Sequence, residues 1–182
     1  MKYSLSFILL LFIFTSCSND STSDGNNEFA TDGQGGSLAK FTLRGDYLYT
    51  VVENDLNVFN VSDTRRPVLV NTVTIGFGIE TLFSYGSYLY IGSRNGMFIY
   101  TVDNPEFPVQ LSEVQHFTSC DPVVANENYA FVTLWSELGC GTTLNQLEIY
   151  DIEDPTSPIL LSVRNLTFPK GLGLYGDYLF VC

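Results

Sequence analysis

The sequence predicts an all-β fold built from repeated four-stranded units. Three observations carry that reading. Tyr47, Tyr88 and Tyr129 stand 41 residues apart, with Tyr178 following 49 residues later. Pro67 and Pro108 are also 41 apart, and Pro158 comes 50 residues after them. Between these landmarks lie short runs rich in Val, Ile, Tyr and Phe, broken by turn residues about every 8–12 positions. A period near 40 residues with four strands per unit is the mark of a β-propeller blade.

Each tyrosine opens an aromatic-x-aromatic strand: Tyr47-Leu48-Tyr49, Tyr88-Leu89-Tyr90, Tyr129-Ala130-Phe131 and Tyr178-Leu179-Phe180. Ahead of each proline stands a matching phrase, VFNVSDTRRP, IYTVDNPEFP and IYDIEDPTSP. The second repeat accommodates strands at about 79–85, 87–93, 97–103 and 108–114. Asn95-Gly96 reads as a two-residue hairpin turn of the mirror type, both residues at positive φ, and Asn54-Asp55 takes that place one repeat earlier. Asp63, Asn104 and Asp154 each lie four residues before an aligned proline and suit Asx-turns. Their recurrence at one turn favours this structural role over calcium ligation. Alternation along the strands assigns the repeated tyrosines to the core or to packing between blades.

The phrases VFNVSDTRRPVLV and IYDIEDPTSPILL, each followed by a G-x-Y-x-Y/F strand, resemble the LVIVD-repeat proteins, extracytoplasmic β-propellers common among Bacteroidota lipoproteins. The resemblance spans residues 43–182 and implies the fold. It carries no catalytic motif, so it implies no activity. The sequence therefore reads as three blades and the start of a fourth, GDYLFVC at 176–182 being the second strand of that blade. The expectation is a chain that stops before the protein does, ending on an odd cysteine, Cys182, any partner of which would lie beyond that end.

The N-terminus predicts export. Lys2 precedes an apolar run, Leu5–Phe14, too short to span a bilayer as a helix. Phe14-Thr15-Ser16-Cys17 resembles a bacterial lipobox, which implies a signal peptide over 1–16 and a lipid on Cys17. Residues 17–37 then read as the lipidated cysteine and a flexible polar tether, and 38–182 as a partial propeller. The expected location is the bacterial cell envelope, as an outer-membrane lipoprotein facing the periplasm or the surface. The membrane is met through the N-terminal lipid alone.

The formal net charge is −12, and loss of Lys2 on processing leaves about −13. That balance excludes nucleic acid as a partner. Removing 16 of 182 residues leaves 166, and a 45% hydrophobic, 14% aromatic composition supplies their core. No metal-ligand spacing, Ser-His-Asp order or phosphate loop is present, so neither a cofactor nor a catalytic residue is expected.

The third repeat breaks the period. Tyrosine to proline takes 20 residues in the first two repeats and 29 in the third, the extra nine falling within Trp135–Asn145. A long loop in a regular array is where a repeat protein places something particular. Cys140 lies in it, and Cys120 lies just before the first strand of the same blade. Strand direction puts both on one face, which predicts a Cys120–Cys140 disulfide in an oxidising compartment. A Cys120 nucleophile with His116 as its base is the rival reading. His116, Phe117, Trp135 and Glu137 fall on that same face and form the candidate ligand-binding surface. The leading functional expectation is a lipid-anchored scaffold that binds a protein or glycan. The alternatives are a carboxylate-based hydrolase or lyase on the loop face, and a structural or adhesive surface module.

Overall fold

The computed structural model describes residues 38–115, 122–136 and 144–182. Among them every regular element is a strand. The first blade holds β1 (Phe41–Arg44), β2 (Tyr47–Val52), β3 (Asp55–Asn60) and β4 (Val68–Thr74). The second holds β5 (Ile79–Tyr85), β6 (Tyr88–Ser93), β7 (Gly96–Thr101) and β8 (Val109–Gln115). The third holds β9 (Val123–Ala125), β10 (Tyr129–Leu134), β11 (Gln146–Asp151) and β12 (Ile159–Asn165). A hairpin of β13 (Leu172–Tyr175) and β14 (Tyr178–Val181) follows. Each blade is an antiparallel sheet whose strands pair in sequence order. First strands of successive blades are neighbours, β1 beside β5, β5 beside β9 and β9 beside β13. The fold is a β-propeller array.

Turn chemistry explains the repeated phrases. Gly45, Gly86 and Gly176 take φ of 52°, 55° and 54° at the first position of two-residue turns between a blade's first and second strands. Positive φ at that position alone is the II′ signature, which glycine adopts without strain. The third blade has no glycine there. The Asn126 side chain closes the turn instead, its Oδ1 accepting from the Asn128 and Tyr129 amides at 3.0 and 2.8 Å. Asp63, Asn104 and Asp154 form the expected Asx-turns, their Oδ1 atoms accepting from the Arg65, Glu106 and Thr156 amides at 3.0, 3.3 and 2.9 Å. The Thr156 hydroxyl also donates to Asp154, and the two bonds hold that carboxyl below its ordinary pKa.

The mirror-type turns expected at Asn95-Gly96 and Asn54-Asp55 sit one residue earlier. Ser93 pairs with Gly96 and Val52 with Asp55, so the turns are Arg94-Asn95 and Glu53-Asn54. Neither Arg94 nor Asn95 has positive φ, and in the other turn only Glu53 does, at 55°. Gly96 is needed for space rather than for φ. A Cβ there would collide with the Val114 carbonyl oxygen of the adjacent strand.

The core lies between blades. Leu56 and Val58 of the first blade pack with Leu89, Ile91 and Phe98 of the second. On the other face of the second blade, Tyr90, Met97 and Ile99 cluster with Ala130, Val132 and Leu134 of the third. Strand alternation produces this two-sided burial, since each central sheet is covered on both faces. The repeated tyrosines divide accordingly. Tyr49 and Tyr90 are buried between blades, whereas Tyr129 is partly exposed and Tyr178 is 70% exposed.

Candidate functional site

Strand direction gives the array two loop-bearing faces. One carries the hairpin turns between second and third strands together with the linkers between blades. The other carries the turns between first and second strands and the Asx-turn loops before the prolines.

On the first face, the Arg94-Asn95 turn lies against the linker leading into its own blade. Arg94 N–H donates to the Gly78 carbonyl at 3.0 Å, and its guanidinium pairs with Glu80 at 3.1 Å. In the third blade the matching connection is the long stretch 135–145. Its base is tied by Asn145, which accepts from the Ser136 amide at 3.2 Å and donates to the Ser136 hydroxyl at 2.8 Å. Trp135, half-buried at the end of β10, stands on that base. The Lys170 ammonium, from the linker after β12, lies 4.7 Å from its ring centroid. Such a cation–π contact contributes about 0.5–1 kcal/mol at an exposed site.

Of the candidate ligand-binding residues, Trp135 alone falls within the described residues. His116, Phe117 and Glu137 lie outside them, as do Cys120 and Cys140 of the expected disulfide and Cys17 of the expected lipidation. Cys182 is described, and it is an exposed free thiol at the end of the last hairpin. Lys170 was not legible as a site residue. It lies 35 positions from Trp135, and nothing local in FPKGL marks it.

Glu148 was also missed. It is 6% exposed in β11, on the side of the third blade that faces the second. Tyr150 donates to one of its oxygens and Gln146 to the other. Phe98 holds the corresponding register in the second blade and Asn57 in the first. A carboxylate with both oxygens taken up by neighbours is organised for packing, because burial without partners would cost several kcal/mol.

Among the described residues, the opposite face carries a groove at the junction of the first and second blades and another at that of the second and third. The first, about 470 Å³, is lined by Arg44, Asp46, Tyr47, Asp103 and Pro105 among others. Side chains of the first blade bond across it to the second. Tyr49 Oη donates to the Pro105 carbonyl at 2.9 Å, and Tyr47 Oη to Glu106 Oε1 at 3.0 Å. Asn71 Nδ2 donates to the Glu106 carbonyl at 2.8 Å. The bond to Glu106 raises the Tyr47 phenol above its ordinary pKa. The second groove, about 480 Å³, has the same location between the second and third blades but different bonding. There Ser112 Oγ donates to the Pro155 carbonyl at 2.7 Å.

Comparison with known families agrees with the repeat. The LVIVD repeat matches residues 35–75 and 119–165, so the chain carries two LVIVD repeats. These segments contain the first and third blades. The residues between them fold into a second blade of the same strand order. No curated protein matches the chain.

Proposed function

We propose that this protein is a lipid-anchored envelope propeller that acts as a binding scaffold for a protein or glycan. The coarse part of this reading, an interaction or scaffold module, is what a propeller of LVIVD repeats supports. The finer part rests on one observation. Of three equivalent connections between second and third strands, two are two-residue turns, and the third, 135–145, carries Trp135 under Lys170. A half-buried tryptophan backed by a cation is the kind of aromatic anchor that dominates binding surfaces.

In the proposal, Cys17 carries the lipid, residues 18–37 span from the outer membrane to the blades, and the long connection receives the partner. Full-length chain, extracted in detergent and immobilised, should retain an envelope component that Trp135→Ala loses by roughly 30-fold. Equal retention by the variant excludes this surface. Anchoring is read separately. The wild-type chain should incorporate labelled fatty acid and sediment with membranes, and Cys17→Ser should do neither. A wild-type chain without label overturns the anchor.

A further inference from the structure

The two grooves between blades are built from the same local sequence but are not chemically equivalent. Tyr90 occupies in the second blade the place of Tyr49 in the first, at the middle of a Tyr-Leu-Tyr strand. It is 1% exposed, and it lines the groove between the second and third blades. Tyr49 spends its hydroxyl on Pro105, but the Tyr90 hydroxyl has no hydrogen-bond partner among the described residues. The reason lies in the facing loop. Ser112 donates to the Pro155 carbonyl, the counterpart of the Pro105 acceptor. Tyr88 likewise lacks the acceptor that Glu106 gives Tyr47. Thr156 stands at that position, and its hydroxyl is turned to Asp154.

The groove thus holds a phenol whose ring is buried and whose hydroxyl makes no bond to the described residues but opens onto the groove, where a ligand can take the place of water as its partner. A tyrosine phenol is protonated at neutral pH and has a proton to donate, and burial, with Tyr88 and Tyr85 beside it, raises the Tyr90 phenol further above its ordinary pKa. Tyr85 and Tyr88 add aromatic surface, Ile152 and Pro155 add apolar surface, and Glu127 and Glu153 bring carboxylates. Among the described residues no basic side chain lines it. A volume of about 480 Å³ lies within the range of small-ligand sites.

We propose that this groove is a binding site for a neutral saccharide ring. A sugar hydroxyl both accepts and donates, so one ligand type satisfies the Tyr90 phenol and the two carboxylates. The apolar face of a pyranose fits against tyrosine rings. An anion meets two carboxylates and no counter-charge. A quaternary ammonium can sit over the rings, but it has no lone pair for Tyr90 to donate to. The site lies on the face opposite Trp135 and is independent of the binding surface proposed there.

The test is calorimetric titration of the full-length chain with neutral trisaccharides of glucose, galactose and N-acetylglucosamine, with choline alongside. At least one trisaccharide should bind, and Tyr90→Phe should weaken it roughly ten-fold. Tyr49→Phe and Trp135→Ala should leave it unchanged. Because the Tyr90 hydroxyl makes no internal bond, Tyr90→Phe keeps its fold, which thermal unfolding verifies. Failure of all three trisaccharides to bind overturns the proposal. So does sugar binding indifferent to Tyr90→Phe. Binding of choline alone overturns it in favour of a cation site.

Discussion

Leu89→Ala should lower the unfolding free energy by about 3 kcal/mol, within the usual range of about 2–5 for truncating a fully buried leucine. Leu89 is 0% exposed in β6 and belongs to the cluster between the first and second blades, with Tyr49, Leu56, Val58 and Ile91. The cost has two parts, the lost transfer of about three carbons from water and the cavity left behind. The cavity part is large here because Leu89 lies on a strand paired on both sides, with Ser84 and with Tyr100. Neither ladder can close inward without breaking bonds. Urea unfolding should show a lower midpoint with an unchanged slope. Leu89→Met, which nearly conserves volume, should cost less than about 1.5 kcal/mol. Equal midpoints for Leu89→Ala and wild type would mean that the interface between these blades is not closely packed.

The second large effect is expected from a single methyl group. Gly96→Ala should cost about 3 kcal/mol, at the upper end of typical overpacking penalties. Gly96 opens β7, paired with Ser93 on one side and Gln115 on the other. The new Cβ meets the Val114 carbonyl oxygen, which is backbone and cannot rotate aside. Either β8 moves away or the Gly96 carbonyl moves, and the latter breaks the 2.9 Å bond it accepts from Ser93 Oγ. Gly45→Ala provides the contrast. Its Cβ meets nothing within 4 Å, and the penalty there is the strain of φ +52°, about 1–2 kcal/mol. Thermal unfolding of the two variants decides the matter. A Gly96→Ala midpoint above that of Gly45→Ala falsifies the steric account. Hydrogen exchange should localise the damage, with faster exchange of β8 amides.

Much of the fold was legible because strand alternation and turn chemistry are local. The strand expected at 79–85 is Ile79–Tyr85, and its three successors fall within two residues of their expected bounds. The Asx-turns followed from a side chain bonding its own backbone two residues on, which needs no distant partner. The hairpin at 94–95 was misread for the same reason. Asn-Gly is a strong local signal, but the register was set by packing of Gly96 against β8, which no dipeptide reveals. The candidate surface shows the same division. Trp135 stood out because it interrupts the period, whereas Lys170 reaches it only through the fold of the next linker.

By itself the sequence determined the repeat, the strands and the turns that redirect them, since each depends on residues a few positions apart. It could not separate Tyr47-Leu48-Tyr49 from Tyr88-Leu89-Tyr90, which are the same tripeptide in the same kind of strand. Tertiary structure made one hydroxyl a rivet between blades and left the other facing a groove. The physical cause is side-chain reach across a junction. The long Asn71 amide extends to the Glu106 carbonyl and leaves Pro105 to Tyr49, whereas the short Ser112 hydroxyl bonds to Pro155. A bond between blades more than 40 residues apart in the chain settled what an identical local sequence left open.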